Sequence, residues 1–76
     1  MIEVKPSTRE FFINHIAIWL PEYIYRELSI LHMESCGKIS FFQDYENGVF
    51  LIRDNETKKF VVMVNIATGE TKVENA

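Results

Sequence analysis

The chain has 76 residues, enough for one domain with one core and too few for two units that could each stand alone. Hydrophobic residues make up 47% and charged residues 25%, which excludes an intrinsically disordered chain. Eight basic against eleven acidic residues leave a formal charge of −3, opposite in sign to the excess that binding a phosphate backbone needs.

The longest uncharged run, 11–21, contains Asn14 and His15 and stays well short of the roughly 20 apolar residues of a bilayer span. Glu3 and Glu10 stand beside Lys5 and Arg9 ahead of it, which does not fit the basic head of a signal peptide. Ile2 follows Met1, and 73–76 lack a cysteine, so neither end carries a lipidation pattern. Cys36 is the only cysteine and can form no internal disulfide. The expectation is a mature chain in the cytoplasm, without a membrane role.

Residues 1–6 read as an extended lead-in that ends at Pro6. Ser7-Thr8-Arg9-Glu10 then fits a capping box with Ser7 as N-cap, and the segment 7–36 reads as helical. Phe12, Ile16, Trp19, Leu20, Tyr23, Ile24, Leu28 and Leu31 recur at helical spacing. Asn14, His15, Glu22, Arg26, Ser29 and His32 gather on the opposite side. Glu27 and Glu34 fall inside the apolar arc of a straight helix, and Pro21 supplies the reason. Its ring removes an amide donor and crowds the carbonyl of Ala17, which predicts a kink and a shift of phase. Gly37, just after Cys36, reads as a left-handed stop.

Beyond Gly37 the period becomes extended, and 38–74 reads as a β-meander of four strands: 38–46, 49–53, 58–66 and 70–74. Asn47-Gly48 is the strongest hairpin signal, followed by turns in 54–57 and 67–70. Short connections of this kind force antiparallel neighbours. The fold class predicted is α+β, a single domain with an N-terminal kinked helix packed on a four-stranded antiparallel β-meander.

Two-residue turns centred on Asn47-Gly48, Asn55-Glu56 and Thr68-Gly69 sort the strand residues into two faces. Val49, Leu51, Phe60, Val62, Val64, Ile66 and Val73 share one face, taken as the core beneath the helix because Val73 is the last strand's only large apolar residue. Phe41, Tyr45, Phe50, Ile52, Val61 and Met63 share the other. A slip of one residue would exchange the faces. Six large side chains on a face without a helix form a patch of several hundred Å², near the limit tolerated on a soluble monomer. Those six are the predicted partner or dimer interface.

Chemistry is sparse. His32 and Cys36 stand four apart, and on one helix axis His15 lies about 25 Å away, so the set falls short of a zinc site. Cys36 sits at a helix C-terminus, where the dipole disfavours a thiolate. Asp44, Glu46, Asp54 and Glu56 cluster at turns without a cleft between them. No phosphate loop, dinucleotide fingerprint or nucleophile elbow occurs among three glycines. No catalytic residue, metal or cofactor is predicted.

The function expected is that of a small non-enzymatic protein–protein interaction module of regulator or inhibitor type, self-associating through the apolar sheet face. A composition rich in Ile, Phe, Lys and Asn suits a bacterial or phage origin. The alternative is single-stranded nucleic-acid binding, with Phe41, Tyr45 and Phe50 as a stacking platform.

Overall fold

A computed structural model describes residues 4–19 and 24–74, with the backbone alone at 24–28. The class is α+β, and the antiparallel sheet has five strands in sequential order rather than four. The added strand comes from the lead-in. β1 (Val4–Pro6) pairs with β2 (Ile39–Asp44) through Val4↔Asp44, Lys5↔Gln43 and Pro6↔Phe42. Proline lacks an amide hydrogen and is tolerated here because β1 is an edge strand. β3 (Val49–Asp54), β4 (Lys59–Asn65) and β5 (Thr71–Val73) complete the meander.

The N-cap of the first helical run is Thr8, not Ser7. Thr8 Oγ1 accepts from the Phe11 amide at 3.1 Å. Ser7 is held by the sheet instead: its amide donates to the Phe41 carbonyl and its hydroxyl to Gln43 Oε1 at 2.8 Å. From the cap, α1 (Arg9–Phe11) passes into a π-helical turn, Phe12–Ile16, and a 3₁₀ turn, Ala17–Trp19. The Ala17 amide reaches back five residues to the Phe12 carbonyl, and the widened turn leaves Phe12 and Ile16 both fully buried.

α2 (Ile24–Ser35) does not continue that axis. Arg9 Nε donates to Glu34 Oε1 at 2.9 Å, and Arg9 Nη2 donates to the Leu31 carbonyl at 3.2 Å. On one straight helix, 25 residues of separation would span about 37 Å. The two runs therefore fold back on each other, which corrects the single kinked helix. Pro21, where the sequence places the kink, lies outside the described residues. α2 ends as expected at Gly37 (φ +76°), with Lys38 N bonded to Met33 O and Gly37 N to Glu34 O.

The three hairpins share one loop design. Asp44, Asp54 and Asn65 each precede a four-residue loop, and a side-chain oxygen of each accepts from the amides two and three residues on. The last loop position has positive φ each time: Gly48 at +65°, Lys58 at +64° and Gly69 at +78°. Lengthening a loop from two residues to four shifts the register by two, so it leaves the faces unchanged.

Lys58 is the only non-glycine of the described residues in that conformation. Its Cβ is strained there by about 1–2 kcal/mol, partly offset by the larger entropy glycine loses on folding. Lys58→Gly is therefore expected to stabilise the domain by about 0.5–1 kcal/mol. The check is a urea titration, with a higher midpoint at constant slope. A lower midpoint would mean that the lysine side chain matters more than its backbone.

The core lies between the sheet and the helical layer. Phe12, Ile16, Ile39, Phe41, Phe50, Ile52 and Val64 form it, with Ile30 and Leu31 of α2 packed alongside. Phe12, Phe41 and Phe50 make a triangle of rings with centroids 5.1, 5.4 and 5.9 Å apart. Each such contact adds about 0.5–1.5 kcal/mol beyond the area it buries.

Candidate interaction surface

One irregularity decides which side chains face outward. β3 and β4 pair as Arg53↔Phe60 and then as Ile52↔Val62, so Val61 is an extra residue opposite no partner. Every position of β4 beyond that bulge is flipped relative to an uninterrupted ladder. Val62, Val64 and Ile66 lie on the helix face as expected, but the β2 and β3 residues beside them are Phe41, Phe50 and Ile52, not Val49 and Leu51.

The six residues expected to form an interface therefore separate. Phe41 (4% exposed), Phe50 (0%) and Ile52 (3%) belong to the core beneath the helical layer, so no partner can reach them. Tyr45 is 61% exposed, but it sits in the β2–β3 loop, with its hydroxyl 3.4 Å from Gln43 Oε1 and Lys5 Nζ 5.9 Å from its ring centroid. Val61 is the half-buried bulge residue. Met63 alone takes a place within the apolar group on the outer face. Base stacking loses Phe41 and Phe50 in the same way.

The outer face is built instead from Phe42, Val49, Leu51, Phe60 and Met63, brought together by the pairings Phe42↔Leu51 and Leu51↔Met63, with Leu51 itself buried (6% exposed) and the other four half-buried. Phe42 and Phe60 meet edge to face, centroids 5.8 Å apart and planes at 81°. The Arg53 guanidinium lies 4.7 Å from the Phe42 centroid. Asn55 Oδ1 accepts from Arg53 Nε and Nη2 at 3.1 and 3.0 Å. Asn55 Nδ2 in turn donates to Ser40 Oγ at 2.8 Å and to the Gly37 carbonyl at 3.0 Å. A cation is thus fixed at one end of the patch. A shallow depression between β3, β4 and β5 is lined by Val49, Met63, Asn65, Glu70 and Lys72. Alternation places Glu70, Lys72 and Glu74 on this face, beside the Met63↔Lys72 pair.

Among the described residues the other candidates do not gather into one site. The His15 ring lies against Phe11, centroids 4.5 Å apart and planes tilted by 34°. Cys36 Sγ is 3.7 Å from His32 Nε2, and both residues are exposed. Among the described residues no group of three or more His, Cys, Asp or Glu could hold a metal ion. Asp44 and Asp54 direct their carboxylates into their own loops. Among the described residues no helix is long and apolar enough to cross a membrane.

Phe42, Val49, Leu51 and Phe60 were hidden from sequence reasoning by the apolar run Phe60-Val61-Val62-Met63-Val64, in which nothing alternates to mark an extra residue. Comparison of the chain with protein families, curated proteins and solved structures finds no match, so the assignment of this surface rests on the chain's own residues.

Proposed function

We propose that this chain is a non-enzymatic protein-interaction module that self-associates through the outer face of its sheet, as a small regulator or inhibitor does. The observation that carries this reading is the one-sided helical layer. The described helices pack over Phe41, Phe50, Ile52 and Val64, while Phe42, Val49, Leu51, Phe60 and Met63 stand on the opposite face, which among the described residues carries no helix. A domain of this size gains most of its missing burial by covering such a face, and a second copy is always at hand. The exposed thiol of Cys36 suits a reducing, cytoplasmic setting.

Magnitudes set the strength of the contact. Three strands of about 20 Å and two edge strands of about 10 Å, spaced about 4.8 Å apart, present roughly 400 Å² per copy, or about 800 Å² for two. That is below the roughly 1,000 Å² of stable specific interfaces, so the dimer is weak and reversible. Sedimentation equilibrium on the intact chain is the test. The apparent mass is expected to rise toward twice the monomer's with concentration. Met63→Glu, which puts a carboxylate in the middle of the contact, is expected to weaken association at least about tenfold while the fold is kept. A wild-type chain that stays monomeric at every concentration would overturn the proposal.

A further inference from the structure

The charges around the apolar patch select one way for two copies to meet, and this step rests on the self-association just proposed. β3 is the central strand, and Arg53 lies toward the β3–β4 loop end of it. The exposed Glu70 lies toward the opposite end, whereas Asp44 at that end is buried with its carboxylate taken up by its own loop. Two sheets stacked face to face as a symmetric pair can be related by a two-fold axis running along the strands or across them. An axis along the strands keeps the ends in place and exchanges β1 with β5, so Arg53 of one copy lands on Arg53 of the other at the β3–β4 loop end of the contact. An axis across the strands exchanges the ends and brings Arg53 over the end that carries the exposed Glu70.

From this charge layout, we infer that the occupant of the outer face is a second copy related by a two-fold axis across the strands. Each strand then lies over its own counterpart, running in the opposite direction. Lys72 of β5 approaches Lys72 of the other copy, but stacked sheets are offset by about 30°. At the sheet margin that rotation moves each Lys72 several ångströms along the strand, toward Glu70 or Glu74 of the other copy, the acidic residues two positions to either side. Both basic side chains of the face thereby meet acidic ones.

Cross-linking reads the axis directly. In the Cys36→Ser background, Lys72→Cys is treated with a short bis-maleimide at a concentration where sedimentation shows the dimer. With the axis across the strands, the two introduced thiols are neighbours and a covalent dimer of Lys72→Cys alone forms. With the axis along the strands they stand four strands apart, about 19 Å across the sheet, and do not react. In that case Lys72→Cys reacts only when mixed with Pro6→Cys, because Pro6 lies on the outer face of β1. A covalent dimer from the mixture alone, or from neither, would overturn the inference while leaving self-association in place. Absence of any dimer by sedimentation overturns the underlying proposal instead.

Discussion

Phe50→Ala is expected to remove most of the stability of this domain. Phe50 is fully buried, and its ring lies within 5.9 Å of the rings of Phe11, Phe12 and Phe41. Truncating such a ring costs about 3–5 kcal/mol through lost transfer energy and the cavity left behind. A chain of this length has a net stability of roughly 4–11 kcal/mol, so the variant approaches or passes the unfolding threshold. Each kcal/mol lowers the midpoint of a small domain by about 4–8 °C, which predicts a drop of tens of degrees or the loss of a cooperative transition. Circular dichroism melts at a concentration below dimerisation measure it. Phe60→Ala is the companion. That ring is only half-buried on the outer face and meets Phe42 alone among the aromatics of the described residues, so the cost is expected to be about 1–2 kcal/mol. Equal losses for the two variants would mean that the outer face is packed like the core and has no need of a partner.

The same pair of phenylalanines shows how far the amino-acid pattern reaches. The α+β class, the antiparallel order of the last four strands and the helix stop at Gly37 follow from local chemistry: a 3.6-residue period giving way to extended runs, loop residues, and one left-handed glycine. Even the wrong loop lengths were harmless, because four residues in place of two preserve side-chain parity. The bulge at Val61 was not harmless, since a single inserted residue exchanges the two faces of β3 relative to β4. Its cause is tertiary. The β3–β4 loop sets Arg53 opposite Phe60, while the helical layer draws Val62 and Val64 onto the side of Phe50 and Ile52, and both demands are met only if one residue is skipped. β1 was missed because three residues ending in proline carry no periodicity, and they are a strand only by virtue of β2 beside them. The helical reversal was missed for a similar reason. Arg9 and Glu34 are distant in sequence, and an exposed ion pair worth about 0–1 kcal/mol marks the fold without deciding it.

Gly69→Ala is the other substitution with a large expected effect, and it tests how the first helical run is fastened. Gly69 closes the β4–β5 loop with φ at +78°, and the Trp19 indole occupies the space that a Cβ would need. A methyl group there would collide with Cε3 of the indole and stand 2.5 Å from Cδ2 and 2.9 Å from Cζ3. Gly48 has the same loop position and open space around it, so Gly48→Ala isolates the backbone term of about 1–2 kcal/mol. Gly69→Ala adds the displacement of Trp19, an overpacking cost of about 1–3 kcal/mol, for a total near 2–4 kcal/mol. Trp19 is the chain's only tryptophan and is 41% exposed, so its emission reports the contact without a label. The spectrum is expected to shift to the red in Gly69→Ala and to stay unchanged in Gly48→Ala. Repeating both substitutions with Trp19→Ala completes the cycle. Without the indole, Gly69→Ala should cost no more than Gly48→Ala, because only the backbone strain is left. If the difference between the two loops survives removal of Trp19, the indole does not pin the 9–19 run to the β4–β5 loop, and the excess cost belongs to the loop itself.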